Sequence, residues 1–288
     1  MKPAAFEYFR PRTVDEALAL LAEHGSDAKP LAGGQSLIPA MNFRLATPAV
    51  LVDLNELSGL SYIEDGERLR VGGMTRQRSV ERSAIIAREA PLVHETMPFI
   101  AHPAIRNRGT VGGSLAHADP AAELPAVMLA LDARFGLRSS TASRWVQAGE
   151  FFTGLFSTAI EPGELLTEIE IPKTARQSGY GFQEISRRRG DFALVGVAAS
   201  VTLDEEGCAA SVRIALLSVG DRPILAERAA GALKGQAPSA ESIRAAADAA
   251  STEIDPPSDI HASSKYRRQL ANVLTRRVLE RAFARASH

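Results

Sequence analysis

The amino-acid sequence predicts an α+β protein of two domains. Short strand-like runs alternate with helical runs up to residue 171, and three strand-like runs followed by three helical ones occupy the rest of the chain. The length of 288 residues agrees with two domains, because single hydrophobic cores stop growing at roughly 250 to 300 residues. Residues 172–179 have the composition of a linker. We therefore predict one domain over residues 1–175 and a second over residues 176–288.

The first domain is predicted to begin with a helix. Thr13 and Glu16 fit a capping box, apolar residues follow at helical spacing, and Gly25 is a stop signal. Brief apolar runs bounded by turn residues predict strands at 29–32, 49–53, 68–71, 133–138 and 165–171. Longer periodic runs predict helices at 80–88, 92–100 and 121–131. We expect two subdomains, of about residues 1–55 and 56–175.

The second domain is predicted to be a small antiparallel sheet covered by helices. Its strand-like runs span 181–185, 193–203 and 209–219, and its helical runs span 225–233, 240–252 and 264–286. Arginines at 187–189 and along the last helix form two basic groups. Such groups usually lie on solvated faces, so we expect these arginines to contact solvent or a partner subunit.

Composition excludes several functions. Lys and Arg number 33 against 34 Asp and Glu, which argues against nucleic acid or an anionic membrane as the main partner. No run reaches the roughly 18 apolar residues of a membrane span, and the start of the chain has no apolar signal core, so we expect a cytoplasmic protein. Cys208 is the only cysteine, so this chain alone cannot ligate an iron–sulfur cluster through cysteines. The histidines show no metal-binding spacing, and we predict no metal site.

Two glycine-rich turns carry the strongest chemical signal. They are Leu31-Ala-Gly-Gly-Gln-Ser-Leu-Ile38 and Thr110-Val-Gly-Gly-Ser-Leu115. Adjacent glycines let successive backbone N–H groups point into one concavity, which suits a pyrophosphate. A single Gly-Gly pair is more often a plain tight turn, but two matched turns favour binding. Neither fits G-x-G-x-x-G or G-x-x-x-x-G-K-[ST], so a dinucleotide held here would not use a Rossmann unit or a P-loop.

These turns resemble a known pair of signatures. Ala32-Gly-Gly-Gln-Ser36 and the segment from Arg106 to Glu123 are similar to the two FAD signatures of the medium subunit of carbon monoxide dehydrogenase and its relatives, the molybdenum hydroxylases. The order of the later segments also fits, so the resemblance covers most of the chain. It implies a PCMH-type FAD-binding fold of two α/β subdomains, with the cofactor lying across them, followed by the C-terminal domain of these flavoproteins.

The resemblance also implies cofactor contacts. The residues that would wrap the pyrophosphate are Leu31, Ala32, Gly33, Gly34, Gln35, Ser36, Leu37 and Ile38. Those that would hold the diphosphate and ribityl region are Thr110, Val111, Gly112, Gly113 and Ser114. Glu123, where relatives usually carry Asp, would hydrogen-bond the ribityl or ribose hydroxyls. The backbone of Leu165 would approach the flavin or adenine, although a plain strand residue is the alternative.

Two further positions belong to the second domain. Many relatives have a lysine in the strand that here reads Phe182-Gln-Glu-Ile185, so a cationic contact is not expected and Gln183 would offer a neutral hydrogen bond. Phe192 matches an aromatic or aliphatic residue beside the isoalloxazine, and its alternative is a core side chain. We predict no catalytic residue, because flavin electron transfer needs no acid–base dyad and His117 and Asp119 more simply orient their loop.

The function implied by the resemblance is electron relay. A large subunit with the molybdenum cofactor would oxidise the substrate, a small subunit with two [2Fe–2S] clusters would pass the electrons on, and FAD on this chain would deliver them to an external acceptor, within a dimer of heterotrimers. A self-sufficient FAD oxidase or dehydrogenase of the same fold is one alternative, and it would need a substrate pocket with a base. A non-catalytic assembly subunit without flavin is the other, and both intact glycine turns argue against it.

Overall fold

A parallel sheet forms the first lobe of the protein, for which the computed structural model describes residues 2–287. The strand order is β1-β3-β2 and both pairings are parallel. The elements are β1 (Glu7–Phe9), α1 (Val14–His24), β2 (Ala28–Leu31), α2 (Leu37–Asn42) and β3 (Val50–Asp53). The glycine turn 32–36 connects β2 to α2, so it lies at the carboxyl end of a parallel strand, where α/β sheets commonly bind ligands.

Helix α1 starts and stops as the sequence predicts, with one difference. The Thr13 hydroxyl oxygen accepts a hydrogen bond from Glu16 N at 3.1 Å, and Gly25 ends the helix with φ 50°. The Glu16 carboxylate, however, accepts from Arg12 N at 2.7 Å and not from the N-cap residue. The predicted capping box is therefore half formed.

The second lobe is an antiparallel sheet with short helices on its buried face. Its strands follow the order β4-β5-β10-β6-β7, and β8 and β9 form a separate hairpin. The strands are β4 (Ile63–Asp65), β5 (Leu69–Gly72), β6 (Arg134–Arg138), β7 (Ser143–Gln147), β8 (Phe152–Gly154), β9 (Ser157–Thr158) and β10 (Leu165–Ile171). The helices are α3 (Gln77–Glu81), α4 (Ala84–Glu89), α5 (Pro91–Thr96), α6 (Pro103–Arg106), α7 (Val111–His117), α8 (Glu123–Ala130) and α9 (Ala148–Phe151).

The C-terminal part is a four-stranded antiparallel sheet with three helices on one face. Its strands lie in the order β11-β12-β13-β14. They are β11 (Ser178–Ser186), β12 (Ala193–Leu203), β13 (Ala209–Leu217) and β14 (Ile224–Leu225), and the helices are α10 (Glu227–Leu233), α11 (Ala240–Thr252) and α12 (Ser264–Ala286). This agrees with the predicted sheet and helices, and the whole chain has the α+β architecture expected from its sequence.

Two of the predicted segments differ in the structure. The helix predicted over 80–88 is two helices, α3 and α4, because Ser83 is extended and caps α4 through Ile86 N. The predicted linker 172–179 already contains the start of β11. Gly179 is not a linker glycine, since a Cβ there would overlap the carbonyl oxygen of Ala282 where α12 crosses the strand.

The face of the C-terminal sheet that is not covered by α10, α11 and α12 packs on the second lobe. Phe182, Ala198 and Leu217 belong to the same buried cluster as residues of the second lobe. The side chains on the opposite face, such as Val197, pack beneath α11 and α12. Glu95 of α5 also accepts hydrogen bonds from Arg281 at 3.1 Å and Arg285 at 2.6 Å on α12. The C-terminal part is thus packed directly on the second lobe.

Candidate functional site

The two glycine turns lie against each other. An ideal Cβ on Gly33 would lie 2.5 Å from the carbonyl oxygen of Arg108 and 2.8 Å from Cα of Gly109. On the other side, a Cβ on Gly113 would lie 3.4 Å from Cβ of Ala32. The segments before and inside the second turn therefore meet the first turn, and the two signatures form one site between the lobes.

The first turn offers a set of unused backbone donors. Within residues 2–287, the N–H groups of Gly33, Gly34, Gln35 and Ser36 donate to no acceptor. The turn is held in shape by its own side chain, because Gln35 Nε2 donates to the carbonyl oxygen of Gly33 at 3.0 Å. Gly34 has φ 72°, a conformation that glycine adopts without strain. Successive free N–H groups form a concavity that binds anions, so this turn fits a phosphate.

The second turn is the capped start of helix α7. Thr110 Oγ1 accepts from Gly113 N at 3.0 Å, Val111 N donates to Thr75 O at 3.0 Å and Gly112 N donates to Gly73 O at 2.9 Å. A Cβ on Gly112 would lie 2.5 Å from the same Gly73 oxygen. The expectation of successive free donors is therefore wrong for this turn, because they fasten α7 to the end of β5. Its glycines allow close approach of a ligand and of the first turn.

Two residues that the sequence analysis did not identify connect the turns. Asn55 Nδ2 donates to the carbonyl oxygen of Ala32 at 3.0 Å, and Arg76 Nη2 donates to Asn55 Oδ1 at 2.6 Å. Arg76 Nη1 also donates to the carbonyl oxygen of Arg108. Burial and the nearby charge of Arg108 lower the pKa of Arg76, while Asp53 raises it; arginine remains charged in proteins. A fixed cation between the turns favours a diphosphate. For Asn55, the available sequence signal was a polar side chain soon after the buried strand β3.

Glu123 and strand β11 supply two carboxyl groups. Glu123 is the first residue of α8 and is 7% exposed. Burial raises its pKa to about 7. Burial, and then the charge of Glu123, raises the pKa of Glu184 to about 8. Glu123 therefore lies where the second signature ends, and its charge acts on Glu184 of β11.

Gln183 does not face the first domain. It pairs with Val197, which packs beneath the C-terminal helices, whereas Glu184 pairs with Gly196 on the face that meets the second lobe. Successive residues of a strand point to opposite faces. The predicted contact from Gln183 is therefore wrong in its placement, and the neighbouring Glu184 has the facing position.

The two remaining predicted positions behave differently from each other. Leu165 is 6% exposed and its side chain belongs to the core cluster that contains Met74, as expected for a plain strand residue. Phe192 is 65% exposed, so its alternative as a core residue is wrong. Its loop is seated on the second lobe, since a Cβ on Gly190 would lie 2.5 Å from Cε1 of His102. The exposed ring is available to a ligand.

His117 and Asp119 do not form a dyad. Asp119 Oδ1 accepts from Ala121 N at 2.9 Å, which orients the loop before α8. The ring of His117 packs on Phe156 with 5.1 Å between centroids, and burial lowers its pKa below 6.5. No hydrogen bond joins the two side chains within the described part of the chain. Among the same residues, no three His, Cys, Asp or Glu side chains are grouped so as to hold a metal ion.

The fold and the candidate site together fit a class of protein, the dinucleotide-binding proteins, because a glycine turn of a parallel lobe meets a glycine turn at the capped start of a helix on an antiparallel lobe. Residues 4–174 match the family described as the FAD binding domain in molybdopterin dehydrogenase, and residues 180–282 match the CO dehydrogenase flavoprotein C-terminal domain. No helix within residues 2–287 has the length and hydropathy to cross a membrane.

Full-length relatives agree with both matches. The chain is 43% identical to the 6-hydroxypseudooxynicotine dehydrogenase complex subunit alpha of Paenarthrobacter nicotinovorans, over 99% of this chain and 97% of that protein. It is 40% identical to the carbon monoxide dehydrogenase medium chain of Afipia carboxidovorans, over the whole of both. A chain in the structure of carbon monoxide dehydrogenase from Hydrogenophaga pseudoflava superposes with a TM-score of 0.96 at 39% identity, covering 99% of each chain. The protein belongs to the family of FAD-binding medium subunits of molybdenum hydroxylases, and it is an oxidoreductase subunit whose cofactor is FAD.

Proposed function

We propose that this chain takes electrons from the [2Fe–2S] clusters of a small partner subunit and passes them, through its FAD, to an external acceptor. A large subunit carrying the molybdenum cofactor would oxidise the substrate. The observation that carries the proposal is the contact between the two glycine turns, with four unused N–H donors on the first. Cys208 as the single cysteine supports the division of labour, because the clusters need cysteine ligands from another chain.

The residues of this chain bind and orient the cofactor. Gly33 to Ser36 would donate their N–H groups to the pyrophosphate, with Arg76 as the nearby positive charge. The rest of the predicted set, Leu31, Ala32, Leu37 and Ile38 on the first turn and Thr110, Val111, Gly112, Gly113 and Ser114 on the second, would line the same ligand. Bound FAD supplies the redox chemistry, accepting and releasing electrons.

Three further contacts are proposed around the flavin end. Glu123 would accept hydrogen bonds from ribityl or ribose hydroxyls, since no other residue in 2–287 donates to its buried carboxylate. The backbone of Leu165 would approach the cofactor. The exposed ring of Phe192 would cover the flavin and exclude water from it. The placement of Gln183 beneath the helices gives no support to a contact from that side chain.

The assembly and its location are also proposals. We infer a dimer of heterotrimers, which the presence of complex subunits among the relatives supports at the level of a multi-subunit enzyme. We infer a cytoplasmic location, since the single cysteine, Cys208, gives this chain no internal disulfide that would call for an oxidising compartment. We keep the domain division at 175/176, which the two family matches flank.

The experiment compares the isolated chain with the assembled complex. The chain is purified alone and with its partner subunits, and the visible flavin absorbance is followed after substrate is added. Bleaching of the flavin only in the complex is expected. Substrate turnover by the isolated chain would instead indicate a self-sufficient oxidase, and a colourless chain that cannot be reconstituted with FAD would indicate an assembly subunit.

A further inference from the structure

The face of the C-terminal sheet that meets the second lobe carries a buried acid. Glu184 pairs with Gly196 across β11 and β12, and a Cβ on Gly196 would lie 3.2 Å from Cβ of Glu184. The glycine therefore leaves room for the glutamate. Glu184 Oε2 is closed to solvent and has no hydrogen-bond partner within residues 2–287. Such an oxygen is costly to leave unpaired if it is charged, so the group needs a proton or a ligand.

A second buried carboxyl, that of Glu123 in the first domain, acts electrostatically on Glu184. Glu123 begins α8, is 7% exposed, and receives no hydrogen bond from another residue in the described chain. Its charge raises the pKa of Glu184, in addition to burial. Two carboxyl groups that share a low-dielectric site do not both ionise readily, so near neutral pH the pair holds a proton.

The charged groups around the pair do not neutralise it. Arg106 is the cation that stabilises ionised Glu123, but its guanidinium already donates to Glu81 at 2.9 and 3.0 Å and to the Ile100 carbonyl at 2.7 Å. Asp119 opposes the ionisation of Glu123.

The charged groups on the other elements packed here are paired with each other and do not act on the two carboxyl groups as single charges. Glu95 of α5 is paired with Arg281 and Arg285 of α12. Strands β12 and β13 present Gly196 and Leu217 at this level of the sheet.

We propose that Glu184 and Glu123 form a carboxyl pair that shares one proton against the bound cofactor, and that Glu184, as the neutral acid, donates a hydrogen bond to an oxygen of the FAD. The inference depends on the proposed cofactor site, because Glu123 closes the second signature. It adds a positioning residue, Glu184, on a strand where many relatives have a cation.

The proposal predicts that FAD affinity depends on pH in one direction. Loss of the shared proton removes the donor and adds negative charge beside a ligand that already carries a diphosphate. FAD then favours the protonated pair, so affinity is full at low pH and falls as pH rises through the pKa of the free protein. For one proton the dissociation constant rises about tenfold per pH unit above that pKa.

The test is FAD binding to the apoprotein of the full chain, by quenching of flavin fluorescence, between pH 6 and pH 9. We expect the wild-type dissociation constant to be flat at the acidic end and to rise about fivefold between pH 8 and pH 9, since the pKa of Glu184 is about 8. Glu184→Gln retains a donor and cannot ionise, so the rise in the dissociation constant that follows the pKa of Glu184 should be lost and only the effect of Glu123 should remain. Glu205→Gln, a change at an exposed residue of the β12–β13 turn, is the matched control and should behave as wild type.

A second variant keeps the test informative if Glu184→Gln fails to fold. Glu123→Gln removes the charge that holds the proton on Glu184, so the fall in affinity should begin at lower pH. A wild-type affinity that does not change between pH 6 and pH 9, or an unchanged pH dependence in Glu184→Gln, overturns the inference. So does pH dependence of the melting temperature without any in FAD affinity. Absence of FAD binding at every pH would instead refute the cofactor site itself.

Discussion

The contact between the two glycine turns predicts that a single methyl group will weaken FAD binding. In Gly33→Ala the new Cβ would lie 2.5 Å from the carbonyl oxygen of Arg108, which is backbone and cannot rotate away. The turns must separate by about 0.9 Å to bring that distance to the 3.4 Å of ordinary contact. Overpacking of this kind costs about 1–3 kcal/mol. The variant apoprotein can relieve this overlap by moving the two turns apart. Binding of FAD must then bring the turns together again, so the overlap is measured as a loss of FAD affinity.

The expected loss of FAD affinity is about 5- to 150-fold, since each 1.4 kcal/mol is a factor of ten. Fluorescence titration of the apoprotein with FAD measures it, and the flavin content of the purified protein gives a second measurement. Gly149→Ala is the control, because a Cβ at that helical glycine has no atom within 4 Å. Wild-type affinity in Gly33→Ala would refute the idea that the turns meet in the bound state.

Two further predictions concern stability. Thr110→Val removes the hydroxyl that caps α7 at Gly113 N and should lower the free energy of unfolding by about 1 kcal/mol; Thr110→Ser should restore it, and equal urea midpoints for all three proteins would contradict the role of the cap. The hydrogen bond from Arg106 is the main reason that the pKa of Glu81 lies below 4.5, so this carboxylate stabilises the fold above the unfolded pKa and its contribution is lost as pH falls through the lower folded value. Acid titration of the melting temperature should therefore be shallower in Glu81→Gln than in wild type, and an unchanged slope would count against the pair.

The glycine turns and α1 could be predicted because their signals are local. Capping residues, paired glycines and helical periodicity are set by backbone conformation within a few residues. The hydrogen-bond partners of the N–H groups in each turn, however, depend on residues that are distant in sequence. Gly112 gives its donor to Gly73, and that contact depends on how α7 packs against the end of β5. The two motifs are alike as sequences and different as structures for this reason.

Strands β1 and β7, which the sequence does not predict, have a related explanation. Strand β1 is largely exposed and β7 alternates only weakly, so neither shows the apolar run or alternation that identifies a strand. Each is held by its neighbour: β1 pairs with β3, and β7 lies beside β6 with Trp145 packed over Gly136. Pairing decides both segments, with a strand distant in sequence for β1 and with the preceding strand of a hairpin for β7, and the pattern of either segment alone does not contain it.

Strand register decides that Glu184, and not the predicted Gln183, lies on the interdomain face. The resemblance locates the strand, but the face of each side chain follows from pairing with β12, and moving one position exchanges the two faces. The buried apolar neighbours settle the direction, since Phe182 belongs to the interdomain cluster and Val197 to the helix-covered one. A buried acid on the interdomain face costs free energy when it is charged and unpaired. The second acid, Glu123, is also buried, with 7% of its surface exposed. Burial makes it unfavourable for both carboxyl groups to be ionised. It also strengthens the effect of a ligand that brings hydroxyl groups or further negative charge. The protonation of the pair should therefore be measurable as a change in FAD affinity.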